Sequence, residues 1–81
     1  MTVDEIKDKI RPDIESTFGG VMANVLFTNA RLRIMNEGKG LDEHARCKLF
    51  LECIGKDDKF VGMLGAAGAQ SKVMSWMGFI R

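Results

Sequence analysis

The 81 residues carry 12 basic and 11 acidic side chains, and 46% of them are hydrophobic. So even a charge balance excludes a global field that would gather the protein onto nucleic acid or an acidic membrane. The apolar content and the mixed signs of the charges exclude a chain too polar to collapse, and the length suits one small domain spanning residues 1–81.

In chain order, Thr2 and Glu5 form a Thr-x-x-Glu capping box, the start signal of a helix. Val3, Ile6, Ile10, Ile14 and Phe18 follow at steps of three and four, which puts them on one helical face. Pro12 lies within that run and predicts either a kink or the first turn of a new helix, and Gly19-Gly20 ends the element. From Val21 to Met35 a second helix is expected, with Val21, Met22, Val25, Leu26, Ala30 and Ile34 on its buried stripe. Ala30-Arg31-Leu32-Arg33-Ile34 alternates apolar and basic residues, so a strand is the competing reading there.

Asn36-Glu37-Gly38-Lys39-Gly40 is a turn cluster, after which Asp42 and Glu43 favour the positive end of a third helix reaching Ile54. Ala45, Leu49, Phe50, Cys53 and Ile54 form its expected buried face, and Gly55 its left-handed cap. Asp57 suits the N-cap of a fourth element, which covers Phe60 to Ile80 and is expected to break near Gly68. The predicted fold class is all-α, a small bundle of three to four amphipathic helices. The alternative is an α+β chain with a short hairpin around residues 47–64, pairing Cys47–Ile54 with Lys59–Leu64.

The fourth segment is the least ordinary. Gly62, Gly65 and Gly68 recur every three residues, so a helix here carries a strip with almost no side chain, suited to a close helix crossing within the chain or between subunits. The segment is about as long as a membrane span, but Gln70-Ser71-Lys72 sits well inside it, and a buried lysine opposes insertion. Peripheral attachment stays open, because the residues after Asp58 are basic or neutral and Trp76-Met77-Gly78-Phe79-Ile80 is apolar. Gly65–Lys72 lacks the spacing of a phosphate-binding loop.

Other constellations are sparse. His44 and Cys47 share a helical face at chelating separation, yet Cys53 lies too far along for a local site, so no metal and no cofactor are implied. Two cysteines alone do not make a secreted disulfide scaffold, and the acidic Met-Thr-Val-Asp-Glu start lacks the character of an export signal, which leads us to expect a cytoplasmic location. A helix-turn-helix drawn around Gly55 would present Asp58-Lys59-Phe60-Val61 to DNA, without the side chains that read base edges. Arg31, Arg33, Arg46 and Lys48 remain candidates for a local nucleic-acid patch. With one histidine and no nucleophile motif, an enzyme is not expected.

The expected role is therefore a protein-interaction or accessory module that self-associates, as a homo-oligomer, or docks on a larger protein. The candidate interface is Gly62, Gly65, Gly68, Met74, Trp76, Met77 and Phe79, with the aromatics as anchors and the methionines as adaptable filling.

Overall fold

Three of the four helix starts are fixed by a side chain that takes up an amide the first turn leaves unpaired; the helix that begins at Gly20 has Gly19 before it and no side-chain cap. Thr2 Oγ1 accepts from the Glu5 N–H at 3.2 Å while a Glu5 carboxylate oxygen accepts from the Thr2 N–H at 3.0 Å, completing the capping box. Asp42 accepts from the Ala45 N–H at 2.8 Å, and Asp57 from the Lys59 N–H at 2.9 Å. The computed structural model describes residues 1–80, with Arg81 outside them, and has four helices: α1 (Val3–Phe18), α2 (Gly20–Glu37), α3 (Glu43–Gly55) and α4 (Asp58–Met77).

Among the described residues there is no strand, so neither the alternation at 30–34 nor the hairpin at 47–64 is realised. The strand reading fails because Ala30 and Ile34 are one helical turn apart and both face inward, while Arg31 and Arg33 find carboxylates on the outside. Helix α1 runs unbroken through Pro12. The proline is exposed, where water can stand in for the amide donor that the Asp8 carbonyl loses.

The chain reverses at Gly19, and α2 returns antiparallel along α1: Arg11 donates to Asn24 at 3.3 Å and Arg31 pairs with Asp4 at 3.1 Å. Helix α3 lies against α2, with Phe27 and Phe50 stacked at 6.0 Å between ring centroids, and α4 packs mainly on α3. Ile6, Ile10 and Ile14 of α1, Ala23, Leu26, Phe27 and Ala30 of α2, and Cys47, Phe50, Leu51 and Ile54 of α3 form one core, which Phe60 and Trp76 of α4 complete. The Cα radius of gyration, 11.6 Å, matches the roughly 11.7 Å of a well-packed chain this long.

Two expectations about faces are corrected. Val21 is 83% exposed rather than buried, because the inward face of α2 is centred on Ala23, Leu26, Phe27 and Ala30. Gly55 is not a left-handed cap: it is the last helical residue of α3, and Lys56 after it has a right-handed φ of −103°. The glycine serves α4 instead. A Cβ at Gly55 would lie 2.5 Å from Val73 Cγ2, so its absence is what lets α4 lie close against the end of α3.

Candidate functional site

The break in α4 falls at Gly65, not near Gly68. Gly65 has φ 77° and ψ 163°, a backbone conformation essentially closed to residues with a Cβ, and it divides α4 into an inner half up to Leu64 and an outer half from Ala66. An unbroken helix would keep one face along its length. The break instead re-aims the outer half, so that Val61 before it and Ala66, Val73, Met74 and Met77 after it share one concave surface beside the end of α3.

That surface is an open groove of about 730 Å³. Its lining is partly aliphatic and thioether, from Val61, Ala66, Val73, Met74 and Met77, and partly polar, from Glu52, Lys56, Asp58 and Gln70. Met74 is 67% exposed, although Met77 and Val73 are half-buried. Methionines on such a surface can re-pack around differently shaped apolar side chains, because the thioether chain is unbranched and polarisable.

The opposite face of the outer half is pinned to the core. Trp76, 3% exposed, lies 5.7 Å from Phe60, which in turn lies 5.4 Å from Phe18 of α1. Asp13 of α1 accepts from the indole N–H at 3.0 Å and from Lys72 Nζ at 2.9 and 3.1 Å, so one carboxylate ties two successive turns of α4 to α1. The Lys72 ammonium, against the opposing cost of burial and with help from the indole, holds the Asp13 carboxyl below its ordinary value. This link gives the groove a fixed wall.

The expected interface residues thus divide. Met74 and Met77 lie in the groove and Gly65 makes it, whereas Trp76, expected as an anchor for a partner, fills the chain's own core. Phe79 is 42% exposed on the α1 side, with the Lys9 ammonium 5.7 Å from its ring centre. Within the chain the glycine strip makes no close helix crossing: a Cβ at Gly62 would meet nothing within 4 Å, and one at Gly68 would touch only Leu64 of the same helix. Val61, Val73 and Gly55, absent from the expected set, complete the groove and its close packing. An uncharged run beside a glycine was the only signal for them.

The candidate nucleic-acid patch is largely self-neutralised. Arg31 pairs with Asp4 at 3.1 Å, Arg33 with Glu37 at 2.8 Å and Arg46 with Glu43 at 3.9 Å, leaving Lys48 exposed on α3 outside these pairs. A second hollow, of about 400 Å³, lies between the starts of α1 and α3 and the end of α2, and the Asp4–Arg31 pair bridges its wall. The weak metal candidates are turned apart: His44 is exposed, while Cys47 is buried and its thiol donates to the Met1 carbonyl at 3.2 Å. Burial raises the pKa of both Cys47 and Cys53, which disfavours the thiolate a metal needs. Among the described residues no three His, Cys, Asp or Glu side chains are placed to hold a metal ion, and no helix is long and apolar enough to cross a membrane.

Comparison with protein-family models, with curated proteins and with solved structures finds no match to this chain. What the fold defines is a class, a small all-α four-helix bundle.

Proposed function

We propose that this chain is a protein-docking module that receives an apolar helical segment of a larger partner in the groove at the α4 break. The observation that carries the reading is the floor of Val61, Ala66, Val73, Met74 and Met77, a set of apolar side chains the chain's own core leaves partly uncovered beside an anchored wall. Glu52, Asp58 and Lys56 line the groove beside this apolar set, a mixed-charge border that suits recognition of an apolar stripe with polar flanks better than acid–base chemistry on a small substrate. Because α3 and both halves of α4 are already ordered, docking a helix orders only the partner, which favours affinity from a modest contact. In a module of this kind Trp76, Lys72 and Asp13 act by positioning the groove, and contact with the partner falls to the methionines and valines.

The test is a display selection of helical peptides on the folded protein, followed by titration of the selected peptides into wild type and Met74→Asp. Met74 is exposed, so the variant keeps the fold, and a carboxylate placed over an apolar floor is expected to weaken binding at least about tenfold. Failure to select any binder, or selection of binders indifferent to Met74→Asp, would overturn the reading.

A further inference from the structure

Gly65 is the non-helical residue inside α4, with φ 77° and ψ 163° between two helical halves. A glycine adopts helical angles as well, and a Cβ built there meets nothing within 4 Å, so the residue has open space on its side-chain face. What holds the bend is the seat of the outer half, Ala66 to Met77. Asp13 of α1 accepts from Lys72 Nζ at 2.9 Å and from the Trp76 indole N–H at 3.0 Å. Phe60 lies 5.7 Å from the Trp76 ring, and Val73 fills the space that a Cβ at Gly55 would need. A change of angle at Gly65 alone therefore converts α4 from two halves into one rod of about 30 Å, whose outer half leaves that seat.

We infer that two copies of this chain exchange the outer halves of α4 by straightening at Gly65, each copy seating Trp76, Lys72 and Val73 of the other. The seat itself selects the occupant. It offers a carboxylate at Asp13, an aromatic wall from Phe18 and Phe60, and a hole at Gly55. This chain's own outer half matches all three in position, and a second copy brings the same set at the same spacing. Exchange thus restores the contacts that opening removes, the usual basis of a swapped dimer.

Straightening also adds something the bent form lacks. The bend interrupts the ladder of backbone hydrogen bonds between the two halves, and a continuous helix closes it. Against this, opening exposes the buried Ala69 and Trp76 before the other copy covers them, so exchange is slow and is favoured by high protein concentration. The inference does not rest on what the groove beside the bend binds.

The decisive experiment mixes two charge variants of the full chain. Asp13→Lys sets two ammonium groups against each other within one chain, and Lys72→Asp sets two carboxylates. Both native side chains are 39% exposed, so each variant keeps the fold. Exchange between the two variants matches both seats at once, whereas every closed monomer and every pair of like variants stays mismatched. After warming the mixture at high concentration, native mass spectrometry is expected to find the heterodimer in at least about tenfold excess over either homodimer. In a second measurement, Gly65→Ala opposes the bent form and favours the straight one. Light scattering on a sizing column is expected to show its dimer dissociation constant at least about tenfold below that of wild type. A mixture that stays monomeric, or whose dimers pair at random, overturns the inference. So does a Gly65→Ala chain that dimerises no more than wild type.

Discussion

Helices α1 and α4 are built on opposite plans. In α1 the apolar residues are few and aligned: Ile6, Ile10 and Ile14 are fully buried, Val3 and Phe18 close the ends of the same face, and the rest of the helix is polar apart from Pro12. In α4 apolar or small residues occupy nearly the whole circumference, yet only Phe60, Ala69 and Trp76 among its 20 residues are buried. A helix whose only task is to cover a core needs one stripe. The surplus on α4, together with a glycine conformation that re-aims its outer half, marks that helix as having a second surface to serve.

The contrast is sharpest in what truncation should do. Ile10→Ala in α1 and Phe60→Ala in α4 both empty fully buried sites and are expected to lower unfolding free energy by about 2–5 kcal/mol in denaturant titrations. Met63→Ala and Met74→Ala, at 64% and 67% exposure on the same α4, are expected to change it by less than about 0.5 kcal/mol. A large loss in either methionine variant would mean that the outer surface of α4 is covered by the chain itself, and the comparison would collapse.

The same contrast explains what was legible in the sequence. The start, end and buried face of helix α1 can be read from the sequence, because its polarity is segregated and its terminus is written in a Thr-x-x-Glu box; only the break expected at Pro12 is not realised. The turns after α2 and α3 are likewise announced by Gly38 and by Asp57. In α2 and α4 apolar residues fall on more than one face, so periodicity cannot say which face is inward: Val21 reads as buried and is exposed, and Trp76 reads equally as partner anchor or core and is buried in the chain. Composition located the break in α4 only to within a turn, since Gly62, Gly65 and Gly68 are equivalent until the packing of Phe60 and Trp76 selects one. Asp13 was invisible as a functional support. Its partners Lys72 and Trp76 lie some sixty positions along the chain, and nothing local distinguishes it from the solvated carboxylates beside it.

The next expected effect separates the three glycines. Gly65→Ala forces a side chain into a φ of 77°, with no neighbour in the way but a backbone region that opposes any Cβ, and is expected to cost about 1–3 kcal/mol. Gly62→Ala sits in ordinary helix with open space around the added methyl, and is expected to stabilise by up to roughly 1 kcal/mol. Opposite signs in thermal unfolding would confirm that Gly65 is the break and Gly62 a replaceable position beside it. Equal signs would return α4 to a straight helix like α1 and remove the groove with it.

The smallest expected effect concerns the tie between the two helices. Asp13 takes hydrogen bonds from Lys72 and Trp76 in the folded chain and meets only water when unfolded, so its carboxyl titrates below its ordinary value of 3.8 in the folded state alone. As pH falls through 3.8 the unfolded chain binds the proton first, and from there down to the folded pKa acid favours unfolding. Asp13 therefore contributes fully above pH 3.8, and the contribution disappears as pH drops through the folded value. The carboxylate is 39% exposed, so solvent screens the pair, and Asp13→Asn is expected to cost only about 1 kcal/mol near neutral pH. The stability gap between wild type and Asp13→Asn, followed by denaturant unfolding from neutral pH downward, should be flat until the carboxyl begins to titrate and then close. Glu5 and Glu37, also held below the usual carboxylate range by Thr2 and Arg33, titrate in both proteins and cancel from the difference. A gap that persists into strong acid would mean that Asp13 holds α4 by shape alone, and that the outer half of α4 is seated by Trp76 in its apolar pocket without help from the charge.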